Sequence, residues 1–159
     1  MNRQLLITLL SIWIIICSFN KKTNHNIDYL IYGVYCGECT EHCSTMFRLD
    51  KKQLFIDTTD TFFKNIGKSE RVFFKADTLN NEQFQEAKVL KTALPRILLQ
   101  SKDRDFGNPD NHDQCGIYIQ FKIDKQLKTF YIDTDLEKIP KELRDYAELV
   151  MKLSKANSQ

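Results

Sequence analysis

The sequence lacks an excess of charge of either sign, and it lacks internal repeats and low-complexity tracts. Its 23 lysines and arginines nearly balance its 21 aspartates and glutamates, which gives a formal net charge of +2. A balance so close to zero leaves no electrostatic footprint for nucleic acid, so nucleic-acid partners are excluded. Lys21 and Lys22 are the only basic pair close to the apolar N-terminus, which is too few for a polybasic membrane patch.

Histidine is also scarce, which limits the chemistry that the chain can carry. The three histidines are His25, His42 and His112. No set of residues has the pattern of a nucleophile, a base and a group that orients the base. The sequence therefore predicts a protein that is not an enzyme and that needs no cofactor.

A long apolar run is missing as well. The run Leu5–Ile16 has 12 residues, whereas a membrane-spanning helix needs about 20. This length suits the core of a signal peptide, with Arg3 before it as a short positive region. We therefore predict a signal peptide over residues 1–17, and Cys17 as a candidate lipidation site. Because Ile16 is bulkier than the small residue that usually precedes a lipidated cysteine, ordinary secretion and an uncleaved anchor remain alternatives.

The rest of the chain divides into a short tether and one domain. Residues 18–27 are polar and lack periodicity, so we expect a tether. Residues 28–155 are long enough to bury a single core. The predicted location is outside the cytoplasm, at the cell envelope (periplasm or outer membrane). The membrane would be contacted through the lipid anchor, and an envelope protein or a small ligand would be the partner.

Several stretches have the composition of β-strands. The first is 28–36, which Gly33 interrupts as at a bulge. A hairpin is expected around the turn 50–52, and a further strand at 71–77. The clearest signal is the alternation in "GIYIQFKID", which predicts a strand with one buried face. A turn at 124–126 leads into a partner strand, and the polar stretch 103–114 is expected to be a loop.

Two stretches have the period of amphipathic helices. Phe84, Ala87, Leu90 and Leu94 form one apolar stripe that Pro95 ends. Pro140 opens a second helix whose buried stripe contains Leu143, Tyr146, Val150 and Leu153. The predicted fold is therefore α+β, with an antiparallel sheet of hairpins and two helices packed on one face.

The cysteines are concentrated in "YCGECTEHC", which holds Cys36, Cys39 and Cys43. With Cys115 the domain has four cysteines, which allow three disulfide pairings. Outside the cytosol such a cluster is first a disulfide candidate. Two alternatives stay open: a thioredoxin-like dithiol at Cys36 and Cys39, and a metal site that uses the cluster.

Four stretches of the sequence together resemble a family. "YGVYCGECTEHC", "NNEQFQ", "FGNPDNHDQCGIYIQF" and the C-terminal "IPKEL" are similar to a family of small, largely uncharacterised exported lipoproteins of Bacteroidota-type bacteria. The family usually has Cys-Pro-Asp-Cys in the second loop, whereas Asn108 and Asn111 flank Pro109-Asp110 here. The resemblance implies an envelope lipoprotein but no reaction, and the departure weakens any inherited metal site.

These observations favour a non-enzymatic binding or structural module stabilised by disulfides. The alternative is a thioredoxin-like or metal-handling envelope protein. The expected binding surface combines the cysteine-rich turn with the loop 108–114, and its candidate residues are His42, Asn108, Asp110, His112 and Asp113.

Overall fold

The computed structural model of the protein describes residues 26–37, 39, 43–57, 74, 79–109, 115–123 and 125–158. The predicted signal peptide, Cys17 and nearly all of the tether lie outside these residues. Within them the fold is α+β, as predicted, and is built on one six-stranded sheet.

The strands of the sheet are β1 (Ile27–Cys36), β2 (Ser44–Leu49), β3 (Leu54–Ile56), β4 (Asp105–Phe106), β5 (Cys115–Ile123) and β6 (Gln126–Asp133). Their order across the sheet is β3-β2-β1-β5-β6-β4. Neighbours pair antiparallel except for β4 and β6, which run parallel. The sheet is thus mostly antiparallel and not purely so.

The helices are α1 (Asn81–Ala87), α2 (Val89–Thr92), α3 (Arg96–Gln100) and α4 (Lys141–Asn157). Asn80 caps α1 through its side chain, which accepts a hydrogen bond from the Gln83 amide. The first predicted helix corresponds to α1 and α2, which only Lys88 separates. The short α3 was not predicted; Pro95 forms its N-cap with extended dihedrals, so that the proline begins a helix as well as ending one.

One face of the sheet carries the main core. Leu30, Tyr32 and Phe47 are fully buried there under the helices. The predicted stripe of α4 is buried as expected, at Leu143, Tyr146, Val150 and Leu153.

The second face of the sheet is also covered. Ile31, Tyr35, Met46 and Tyr118 form a separate buried cluster against which Phe74 packs. The prediction that β5 has one buried face was therefore wrong. Tyr118, expected on an exposed face, is only 2% exposed, because β5 lies in the middle of a sheet that is covered on both sides.

Two further local predictions differ from the structure. The bulge expected at Gly33 is absent there; the register shift of β1 lies between Ile27 and Leu30. Gly33 instead makes room for its neighbour, since a Cβ on it would lie 2.6 Å from the sulfur of Met46. The expected loop 103–114 contains β4. The strand predicted at 71–77 lies outside the described residues apart from Phe74.

Candidate functional site

Two disulfides lie at one end of the sheet. Cys36 bonds to Cys115 and Cys39 bonds to Cys43, so disulfide bonding is present and one of the three pairings is selected. Cys36 and Cys39, the pair required by a thioredoxin-like dithiol, are not bonded to each other. The chain that follows Cys43 is strand β2, antiparallel to β1, where a thioredoxin-like site needs a helix.

The register of the sheet explains why Cys36 and Cys115 can bond. They are directly opposed residues on β1 and β5, with a Cα–Cα distance of 4.0 Å. The amide of Cys36 is directed the other way and donates to the carbonyl oxygen of Cys43 at 2.8 Å. Cys36 and Cys115 therefore form a narrow, non-hydrogen-bonded pair, in which opposed side chains come closest. The bond spans 79 positions of sequence. Because it restricts the unfolded chain over so long a loop, it should stabilise the folded state by about 4 kcal/mol.

The Cys39–Cys43 bond is more local and more exposed. It spans 4 positions, and the loop-closure entropy of so short a loop corresponds to a stabilisation of about 2 kcal/mol. Cys39 is exposed, whereas Cys36, Cys43 and Cys115 are half-buried. The two bonds thus differ in what they hold: one joins the two central strands, and the other shapes the turn that leads from β1 to β2.

A buried carboxylate organises the same end of the sheet. Asp133, the last residue of β6, is opposed to Gly116 and is fully buried. Its two oxygens accept hydrogen bonds from the amides of Asn108 at 3.0 Å and Asp135 at 2.8 Å. The carboxylate thereby fixes the chain that leaves β4 against the end of β6.

The neighbouring residues leave little freedom in this arrangement. Gly107 has a φ of 77°, and a Cβ on it would lie 2.6 Å from that of Asp133. Thr134 donates through its hydroxyl to the carbonyl oxygen of Cys115 at 2.9 Å. We call this region, formed by Cys36, Cys39, Cys43, Asn108, Cys115 and Asp133, the disulfide end of the sheet.

The disulfide end brings the predicted binding residue Asn108 to the same end of the sheet as the four cysteines. Asn108 is exposed and lies there, anchored through Asp133. The remaining candidate residues, His42, Asp110, His112 and Asp113, lie outside the described residues. Asp133 and Thr134 were not among the predicted site residues. Their sequence signal is an aspartate at the end of a strand followed by a threonine, a pattern typical of side chains that hydrogen-bond nearby backbone.

The side chains with shifted pKa values are ones that the fold buries or partly buries. Burial raises the pKa of Tyr32 and of Tyr146 above the ordinary tyrosine value. Burial also lowers the pKa of Lys91, although Asp50 opposes that shift. The Lys91 ammonium group donates to the carbonyl oxygen of Asp50 at 3.3 Å and thus ties α2 to the β2–β3 turn. These three groups lie away from the disulfide end.

Two open grooves lie elsewhere on the described surface. One, of about 260 Å³, separates the stretch Ser101–Arg104 from Leu127–Phe130. The other, of about 470 Å³, surrounds the β2–β3 turn beside Tyr29, over whose ring the Arg48 guanidinium stacks at 4.9 Å. Arg48 also pairs with Asp50, and Lys51 with Asp28. The charges of this second groove are thus largely paired within it.

Among the described residues, no three histidine, cysteine or acidic side chains are grouped as metal ligands would be. No helix described here is both long enough and apolar enough to cross a membrane.

Comparison of the chain with protein-family models, curated proteins and solved structures finds no match.

Proposed function

We propose that this protein is an exported, lipid-anchored module of the cell envelope that binds a partner without catalysis. The observation that carries the proposal is the disulfide end of the sheet, where two disulfides and a buried carboxylate that binds the Asn108 amide lie beside the exposed Asn108. Disulfides form and persist in oxidising compartments and are rare in the cytosol, which supports export. Anchoring rests on the apolar run before Cys17 and on the resemblance to exported lipoproteins.

Rigidity is the physical reason to place the binding surface at this end. A loop that is fixed before it meets its partner loses less conformational entropy on binding than a mobile loop. The Asn108 amide is fixed by Asp133, and β5 begins at a residue bonded to β1. Asn108 itself remains exposed and is available to a partner.

A site-specific photo-crosslinker tests the binding surface. It would be placed at Asn108 in one variant and at Lys125 in the control. Lys125 is also exposed but lies in the β5–β6 turn, at the opposite end of β5. The proposal predicts that cells expressing the Asn108 variant yield one discrete crosslinked species that the Lys125 variant does not give. Identical products from both positions, or none from either, would contradict a binding surface at the disulfide end.

The anchor is tested separately. The mature protein from an envelope fraction should have the mass of a chain beginning at Cys17 plus a diacylglycerol and an acyl chain. The Cys17→Ser variant should lose that mass and leave the membrane fraction. A wild-type protein that keeps residues 1–16, or that never enters the envelope fraction, would contradict the proposed anchoring.

A further inference from the structure

Three of the four domain cysteines lie in one row: Cys36 in β1, Cys115 in β5 and Cys43 immediately before β2. Cys36 on β1 is opposed to Cys115 on β5. On its other side, the β1–β2 register pairs Tyr35 with Ser44, and the next position along opposes Cys36 to Cys43. The hydrogen bond from the Cys36 amide to the Cys43 carbonyl oxygen shows that the pairing continues to this position.

Opposed residues on neighbouring strands project to the same face of a sheet. Cys43 and Cys115 therefore flank Cys36 on one face, from opposite sides. A hydrogen-bonded pair such as Cys36 and Cys43 has a Cα–Cα distance of about 5.5 Å, which is a common separation for a disulfide. Cys36 thus has a cysteine opposed to it on each side, and it is bonded to the one in the narrower pair.

We propose that Cys36 is the centre of an intramolecular disulfide exchange in which Cys43 displaces Cys115. The Cys43 thiolate attacks the sulfur of Cys36, a Cys36–Cys43 bond forms, and Cys115 leaves as a thiolate. The exchange transfers no net electrons, because one disulfide is replaced by another. It moves the covalent link from the β1–β5 pair to the β1–β2 pair and releases the start of β5.

The exchange begins when the Cys39–Cys43 bond opens. Opening requires an external dithiol, which supplies two electrons and is itself oxidised to a disulfide. The structure makes Cys39–Cys43 the bond that such a reductant meets first, since Cys39 is exposed while Cys36 and Cys115 are half-buried.

This inference is independent of the proposed binding function. A protein whose Asn108 loop bound nothing would still carry the three cysteines in one row. If both hold, a reductant in the envelope alters the binding surface, because Cys115 lies at its border.

Two matched variants test the exchange without any reductant. Cys39→Ser leaves Cys43 as a thiol beside the Cys36–Cys115 bond, and Cys43→Ser leaves Cys39 as a thiol outside the row. Each variant, purified under oxidising conditions, would be treated with an alkylating reagent, and the labelled cysteines would be mapped by peptide mass spectrometry. Circular dichroism would establish that both variants are folded.

In Cys39→Ser the label is expected on Cys115 as well as on Cys43, with Cys115 carrying at least a tenth of the total. In Cys43→Ser it is expected on Cys39 alone. The labelled fraction of Cys115 should be unchanged over a tenfold range of protein concentration, because the exchange is intramolecular. Label confined to Cys43 in the first variant, or label on Cys115 to the same extent in both variants, would overturn the proposal.

A second measurement applies if a variant fails to fold. Wild-type protein would be treated with one equivalent of dithiothreitol, quenched with the alkylating reagent at successive times and digested without reduction. A Cys36–Cys43 peptide should appear after the Cys39–Cys43 peptide has decreased. Loss of Cys39–Cys43 with Cys36–Cys115 unchanged throughout would overturn the proposal in this assay too.

Discussion

Tyr32 and Asn157 meet in the buried core, where the Asn157 amide donates to the Tyr32 hydroxyl at 3.1 Å. This bond joins the central strand β1 to the last turn of α4, 125 positions away in sequence. The hydroxyl of Tyr146, also in α4, donates to the carbonyl oxygen of Leu90 at 3.3 Å. Two phenols are thus kept neutral inside the core.

Alkaline pH should therefore unfold the protein through these tyrosines. Burial raises the pKa of Tyr32 and of Tyr146 in the folded state, so the unfolded chain loses these protons first. Their contribution to stability is complete below about pH 10 and is lost as pH rises, by up to about 1.4 kcal/mol per pH unit for each tyrosine. Urea unfolding of wild type and Tyr32→Phe between pH 9 and 11.5 measures this slope.

In the Tyr32→Phe variant, the free energy of unfolding should fall with pH about half as steeply as it does when both tyrosines are present. Lys91 acts in the opposite direction: its pKa is lowered by burial, so its contribution to stability rises with pH until the unfolded lysine loses its proton near 10.5. The comparison is clearest above that pH. Equal slopes for the two proteins would show that Tyr32 does not resist ionisation.

Removal of the two disulfides should have unequal effects on stability. Replacing both Cys36 and Cys115 by serine should lower the free energy of unfolding by about 4 kcal/mol, because this bond closes the longer loop. The matched double variant of Cys39 and Cys43 should lose about 2 kcal/mol. Urea titrations under oxidising conditions measure both. A larger loss in the second variant would reverse the assigned roles of the two bonds.

Asp133→Ala should destabilise the protein by about 3 kcal/mol, since the amides of Asn108 and Asp135 would lose a charged acceptor in a buried place. Asp135→Ala is the control. Its side chain is 47% exposed and pairs with Lys138 at the surface, so its loss should be below about 1 kcal/mol. Thermal unfolding of the two variants separates these outcomes. Similar small losses for both would mean that Asp133 does not anchor the Asn108 loop.

Gly33→Ala should be more destabilising than Gly116→Ala. A Cβ at Gly33 would lie 2.1 Å from the Thr45 carbonyl oxygen, which is backbone and cannot move without disturbing the ladder. A Cβ at Gly116 would meet the end of the buried Tyr35 ring at 2.4 Å, and the end of a side chain shifts more readily than backbone does. We expect about 3 kcal/mol for the first change and less for the second. Chemical denaturation measures the difference, and a reversed order would contradict the packing described for β1.

Local sequence patterns predicted much of the fold. The stripe of α4, the hairpin of β2 and β3 and the alternation of β5 were each visible within a few residues, because each depends on the period of a single element. The second covered face was not predictable in this way. Tyr118 and Gln120 alternate with apolar residues as exposed positions do, and their burial depends on what packs over the sheet. β4 was missed for a related reason, since two residues form a strand only because β6 lies beside them.

The cysteines of the site were predictable from the sequence, but their disulfide pairing was not. Spacing alone left all three pairings of the four cysteines open. What selects Cys36–Cys115 is the register of β1 against β5, a long-range property that the cluster itself does not encode. Asp133 was overlooked because a buried carboxylate cannot be told from a surface one without its two amide partners.

The most direct test of the central claim is disulfide mapping by mass spectrometry of the mature protein, taken from an envelope fraction and digested without reduction. We expect one peptide pair that joins Cys36 to Cys115 and one peptide with an internal Cys39–Cys43 bond, with no free thiol among the four. A Cys36–Cys39 bond, or four free thiols in the envelope protein, would contradict the disulfide-stabilised module and favour a redox or metal-handling site.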